Sequence, residues 1–151
     1  MKTLQYMRLA LAAMACAVLM WVATSCRHSD LWSEMPQEIS SFITHYFPFQ
    51  ELQSFDKGAS TYHVRIDDGP GLTFDSECAW IAIDGYGMPL PQVLLFDQLP
   101  PKVYDYLQET EQVNSVFSME RDKMSYMLTL LDDTLTYYID SGELTLRKPS
   151  V

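Results

Sequence analysis

Two stretches of the chain alternate apolar with polar residues, and together they set out the architecture. In the first, Tyr62, Val64 and Ile66 share one side of a period-two pattern; Leu72 and Phe74 follow Asp67-Asp68-Gly69, and Ile81 and Ile83 follow Asp75-Ser76-Glu77. The second reads Tyr126, Leu128, Leu130, then Leu135, Tyr137, Ile139, then Leu144 and Leu146. Leu52 and Phe55 place one strand ahead of the first set, ending at Asp56-Lys57-Gly58, and Val113 and Phe117 place one ahead of the second. Breaks this short cannot hold a parallel crossover, so each stretch is expected to be a four-stranded antiparallel meander.

Before each meander the spacing changes to that of a helix. Ile39, Phe42, Ile43, Tyr46 and Phe47 form a broad apolar stripe that opens at Pro36, as a first helical residue, and closes at Pro48. Gln37 and Glu38 then fall in the first turn, beside the positive end of the helix dipole. A connector at Asp84-Gly85-Tyr86-Gly87-Met88-Pro89 and one or two helical turns within Leu90 to Leu99 lead to a second, shorter stripe of Val103, Tyr106 and Leu107. His63, Arg65 and Thr73 alternate against Tyr62, Val64 and Leu72, so the first meander has one apolar side. An isolated meander cannot keep that side dry, and its helix is expected to cover it.

A shift of about 65 positions lays Pro36 on Pro101, Asp67-Asp68 on Asp132-Asp133, and Asp75-Ser76 on Asp140-Ser141. The predicted fold is therefore α+β: two tandem helix-plus-four-stranded antiparallel meander units, 35–89 and 90–151. Their sheets are expected to join edge to edge or to pack into one continuous surface, burying what neither half buries alone. Tyr126 to Leu131 is apolar on both faces at most positions, which predicts a more central strand.

Charge changes the picture at both ends of the scale. The 151 residues carry a formal charge of -10 with 48% hydrophobic content. Lys2 and Arg8 are the only charged residues among the first 25, so of 10 basic and 20 acidic residues the later segment keeps a balance of about -12. Such a surface repels phosphate backbones and anionic headgroups, which excludes nucleic acid and allows a basic protein partner or a cation.

The basic start, the uncharged run Leu9 to Ser25 and the small residues closing it have the layout of a signal peptide, assigned to residues 1–25. Val22-Ala23-Thr24-Ser25 before Cys26 resembles the lipobox of bacterial lipoproteins, which implies cleavage before Cys26, diacylglycerol on its sulfur and a membrane anchor. An uncleaved span over Leu9 to Cys26 and ordinary secretion are the alternatives. Cys16 leaves with the signal and Cys26 takes the lipid, so Cys78 has no disulfide partner and is expected as a small packed side chain in a strand beside Trp80. Residues 26–34 form a tether expected to hold no stable fold.

The order Tyr46-Phe47-Pro48, Tyr62-His63-Val64-Arg65-Ile66-Asp67-Asp68-Gly69, Leu72-Thr73-Phe74-Asp75 and Trp80 resembles the PepSY-like, beta-lactamase-inhibitor-like lipoproteins of Bacteroides-type bacteria. Met88-Pro89-Leu90-Pro91, leading through Leu94-Leu95 to Leu99-Pro100, is similar to their way of opening the next helix. In the second unit Thr134 stands where that pattern has glycine, and the helix lacks a Tyr-Phe-Pro ending. The resemblance implies tandem units, export to the cell envelope and a binding or inhibitory role through an exposed sheet face, with no catalytic residues.

Chemistry is sparse. His28, His45 and His63 have no partners at zinc-ligand spacing, and Ser60 near His63 lacks a nucleophile elbow. Gly85 and Gly87 run into Met88-Pro89, not into a phosphate-binding helix start. Asp67-Asp68, Asp75, Asp132-Asp133 and Asp140 suit either calcium or, with more weight, tight turns. No cofactor, no metal site and no enzyme activity are expected. Tyr86, Trp80 and Tyr138 are the candidate partner contacts, although core packing competes for each. The expected function is a lipid-anchored envelope module that binds, and by binding inhibits or regulates, another protein; the alternative is a carrier of a small ligand or cation in the groove between the units.

Overall fold

The computed structural model describes residues 27–148, with side chains from residue 31 onward. The signal segment and Cys26 lie outside the described residues. The chain divides into two compact units, Met1–Glu34 and Met35–Val151. In the first, α1 (Arg27–Glu34) makes the tether segment helical, contrary to the expectation of no fold. No proline or glycine interrupts those eight residues, and Pro36 bars the preceding residue from helical backbone, so the helix ends where the tether was drawn to end.

The second unit is one antiparallel sheet of eight strands in sequence order, with helices. Helix α2 (Gln37–Tyr46) precedes β1 (Leu52–Lys57), β2 (Thr61–Ile66), β3 (Gly71–Asp75) and β4 (Trp80–Asp84). Two helices follow, α3 (Gln92–Gln98) and α4 (Pro101–Glu109), and then a 3-10 turn at Val113–Ser115. Strands β5 (Val116–Arg121), β6 (Ser125–Leu130), β7 (Thr134–Tyr138) and β8 (Leu144–Arg147) complete the sheet. Val113 thus lies in the turn and not in the strand predicted for it.

Proline starts each helix from α2 to α4. Pro36, Pro91 and Pro100 sit just ahead of them with φ of -53, -58 and -54, extended backbone that no side-chain cap supplements. Their missing N–H groups cost nothing outside a helix, and their fixed φ restricts the entering chain. Pro36 precedes the helix by one residue, whereas Pro101 stands inside α4.

Strands β4 and β5 join the two predicted meanders edge to edge, pairing Ala82 with Glu120, Ile83 with Met119 and Asp84 with Ser118. The connector reinforces the seam: the Gly85 N–H donates to the Phe117 carbonyl and the Leu90 N–H to that of Val116, both at 2.8 Å. A Cβ on Gly85 would fall 2.1 Å from the Met88 oxygen and 2.9 Å from that of Phe117, so only glycine passes there.

Register carries the core across the seam. Val64 pairs with Leu72, Leu72 with Ile83, Ile83 with Met119, Met119 with Leu128 and Leu128 with Leu135, and all six are buried. The helices add Ile39, Ile43, Leu94, Leu95, Val103 and Leu107, each with no exposure. Phe42 of α2 meets Phe74 of β3 edge to face, with ring centroids 5.4 Å apart. Each buried aliphatic side chain is worth about 1.5–3 kcal/mol relative to exposure.

Strand β6 is sixth of eight and less central than its composition predicted. Leu128 and Leu130 are buried, while Met127 and Leu131 are exposed, because Met127 alternates onto the other face and Leu131 enters the next turn. Ile139 likewise falls beyond β7 in a turn and is exposed.

A single core predicts a single cooperative transition for this unit. Ile43→Ala should lower its unfolding free energy by about 2–5 kcal/mol, and Met119→Ala, across the seam, should move the same transition. Urea titration followed by tryptophan fluorescence and far-UV circular dichroism would show two separable steps if the halves were independent.

Candidate functional site

The face of the sheet opposite the core carries short and polar side chains. One row across it reads Asp56, His63, Thr73, Ala82, Glu120, Met127, Thr136 and Thr145; a parallel row reads Ser54, Arg65, Gly71, Asp84 and Ser118. His63, Glu120, Met127 and Thr145 are exposed. A depression of about 340 Å³ is lined by residues that include His63, Arg65, Thr73, Asp84, Tyr86 and Glu120. A second, of about 500 Å³, is lined by Ile81, Arg121, Met127 and Thr136 among others. Both include Ala82 and Glu120, so they adjoin over the β4–β5 seam.

Tyr86 reaches back over this face from the connector. Its N–H donates to Asp84 Oδ1 at 2.8 Å, and its φ of 50 together with the following Gly87 at 86 turns the chain sharply. The phenol ring rests over Gly71, where a Cβ would lie 2.8 Å from its hydroxyl oxygen. The Arg65 guanidinium stacks on the same ring, 3.6 Å from its centroid, and Nε donates to Gln53 Oε1 at 3.3 Å. One terminal nitrogen of Arg65, NH1, is buried without a hydrogen-bond partner. His63 sits between two hydroxyls, Thr61 at 3.0 Å and Thr73 at 3.2 Å, and the imidazole donates to one and accepts from the other.

The three aromatic residues proposed for partner contact separate. Tyr86 is 58% exposed and borders the central depression. Tyr138 is 43% exposed and borders another, of about 480 Å³, with Met124, Asp140 and Glu143. Trp80 is a correction. At 2% exposure it belongs to the core, because its register partner is the inward-facing Phe74 and its indole N–H donates to Gln98 Oε1 of α3 at 2.8 Å.

Gln98 in turn donates to the Tyr46 hydroxyl at 2.6 Å; Tyr46 donates to Asp97 Oδ2 at 3.3 Å, and His45 lies 3.6 Å from the same oxygen. This chain of bonds ties β4 to α3 and α2. Burial pushes the Tyr46 phenol above its ordinary pKa; the Gln98 N–H opposes that rise and the Asp97 carboxylate adds to it.

Cys78 stands in the β3–β4 turn with φ of 64, and not in a strand as expected. Burial, then Glu38 and Asp75, raise its thiol pKa, which disfavours the nucleophilic thiolate. Turn chemistry claims Asp75, whose Oδ1 accepts the N–H groups of Glu77 and Ala79 at 2.9 Å each. Asp122 holds the β5–β6 turn in the same manner through Met124 and Ser125, which lowers its pKa. Among the described residues no three His, Cys, Asp or Glu side chains gather as a metal site. His28 is placed in α1, but its side chain lies outside the described set.

A family model described as "Putative beta-lactamase-inhibitor-like, PepSY-like" matches residues 20–81 and again 60–145. The chain belongs to the PepSY-like family. Among solved structures, this PepSY-like chain is similar to a "putative periplasmic protein" from the DUF2874 family of Bacteroides vulgatus, at TM-score 0.63 and 18% identity over 78% of this chain and 93% of that one. A "putative calcium-regulated periplasmic protein" of Bacteroides thetaiotaomicron gives TM-score 0.64 and 21% identity over 78% and 93%. Another Bacteroides vulgatus protein, of unknown function, gives 0.62 and 21% over 77% and 94%. At these identities the likeness is one of fold. No match is found among curated proteins.

The Arg65–Tyr86 stack escaped the sequence reading. Gly71 was its available signal, since a glycine inside a strand marks close approach by another group. Two outcomes test this local packing. Gln98→Leu leaves the Trp80 N–H buried and unpaired and should cost about 1–3 kcal/mol in denaturant unfolding. Gly71→Ala should lift the Tyr86 ring and change the ring-current shift of the Arg65 side-chain resonances, while leaving the Trp80 indole resonance in place.

Proposed function

We propose that this PepSY-like protein is a lipid-anchored module of the bacterial cell envelope that binds another protein through its open sheet face, with inhibition or regulation as the consequence. It is read as two helix-plus-four-strand units, 35–89 and 90–151; the double family match supports a repeat, and the recurrence of helix followed by four strands supports the division. Small residues before Cys26 support the anchor, and the periplasmic description of the similar structures supports export. Among the described residues no helix is long and apolar enough to cross a membrane.

One observation carries the binding role: helices bury one face of an eight-stranded sheet, and the other, with Tyr86 at one depression and Tyr138 at another, stays open. Aromatic side chains at the rim of a polar surface are the usual anchors of protein interfaces. The similarity in family description to beta-lactamase inhibitors supports a protein partner and not a chemical reaction.

The depression at the seam favours a second reading, a carrier of a small ligand. The cation version has less support, because Asp75 and Asp122 spend a carboxylate oxygen on backbone N–H groups and no three acidic, His or Cys side chains gather among the described residues.

A photo-crosslinking residue placed at Thr73 or Met127 should capture a discrete protein in intact cells, and one placed at Glu109 on α4 should not. Equal capture from both faces, or none, sinks the open-face assignment. For the anchor, Cys26→Ser should abolish incorporation of an alkyne-tagged fatty acid; label retained by the variant would place the lipid elsewhere or nowhere.

A further inference from the structure

The central depression is built with its charges apart. Its cationic side is β2, with Arg65; its anionic side is β4 and β5, with Asp84 and Glu120. Between them the floor is Thr73 and Ala82, short side chains that leave room above the sheet, beside Gly71, which the Tyr86 ring covers. Strand spacing of about 4.8 Å separates Arg65 from Asp84 by roughly 10 Å at the backbone, and Glu120 lies one strand further.

Arg65 is the unusual member. In a chain with 20 acidic residues its guanidinium pairs with no carboxylate among the described residues, only with Gln53 and the Tyr86 ring. Its buried Nη1 has no hydrogen-bond partner among the described residues, a state that an ordered water, an ion or a ligand completes in native proteins. A planar guanidinium already held by one bond and one ring is oriented to receive a carboxylate. Asp84 and Glu120 set the other requirement, because a ligand of purely negative charge meets two carboxylates across the floor, whereas one with a distant cation meets a counter-charge.

We propose that this depression binds a short peptide with free ends, its carboxylate on Arg65 and its ammonium group toward Asp84 and Glu120. Two or three residues suit the span, since an extended chain advances about 3.3–3.6 Å per residue and the side chains on both walls reach inward. Tyr86, hinged at Gly87 and resting on Gly71, lies along the bound chain and shields the ion pair from water. The inference goes beyond the protein-partner reading and deepens the small-ligand one, on which it rests.

The test is titration of the detergent-solubilised full chain with trialanine, its carboxyl-terminal amide and its N-acetyl form, followed by the backbone amide resonances of Thr73, Ala82 and Glu120. Trialanine should saturate those shifts. Amidation should weaken binding at least tenfold, as should Arg65→Gln in protein of unchanged melting temperature, and N-acetylation or Glu120→Gln should weaken it several-fold. No saturation at millimolar trialanine, or an amide that binds as tightly as the free acid, overturns the proposal without relying on any variant to fold. Should acetate move the same amides as far as trialanine at equal concentration, the small-ligand reading stands and the peptide assignment falls.

Discussion

Everything in the sheet depends on three paired positions between β4 and β5. Without them each four-stranded half would offer a bare edge to any passing strand and would leave half a core exposed. With them, Ile83 and Met119 become neighbours inside one apolar layer, and one polar face runs uninterrupted from β1 to β8. The connector cannot slip at this point, because Gly85 admits no side chain and its N–H and that of Leu90 are both spent on β5 carbonyls.

Joining the halves also fixes what each face can do. The core face is filled by helices, and its polar groups are satisfied in place, as where Gln98 bridges the Trp80 indole and the Tyr46 hydroxyl. Burial falls off toward β8, where Leu146, opposite the buried Leu135, is exposed. The opposite face keeps the ionisable and hydroxyl side chains, and the seam sets residues of β2 from one half within reach of Glu120 from the other. The depression there draws most of its lining from β1 to β4 and the connector, and the joined sheet adds Glu120 of β5.

Much of the fold was legible because its causes are local. Alternation at Tyr62, Val64 and Ile66 and the stripe from Ile39 to Phe47 follow from which residues avoid water, and prolines at 36, 91 and 100 mark where helices start. The candidate site was legible only in part. Tyr86 and Tyr138 stand on exposed ground, but Trp80 turned inward, because a bulge between β3 and β4 resets which side chains face the core, and Cys78 falls in the turn ahead of β4, its N–H bonded to the Asp75 carbonyl. Period-two reasoning has no means to foresee a bulge.

The sequence by itself determined the α+β class, the antiparallel order of neighbours, the acidic surface and the family, since periodicity, turn residues and charge are written in consecutive letters. Tertiary structure alone decided that the two halves meet through β4 and β5, that β6 stops short of the centre, and that Arg65 lies under Tyr86 with a nitrogen unpaired. Those outcomes turn on which edges find each other and on how a loop folds back across a strand. They join residues far apart in the chain, and no local pattern encodes the distance between them.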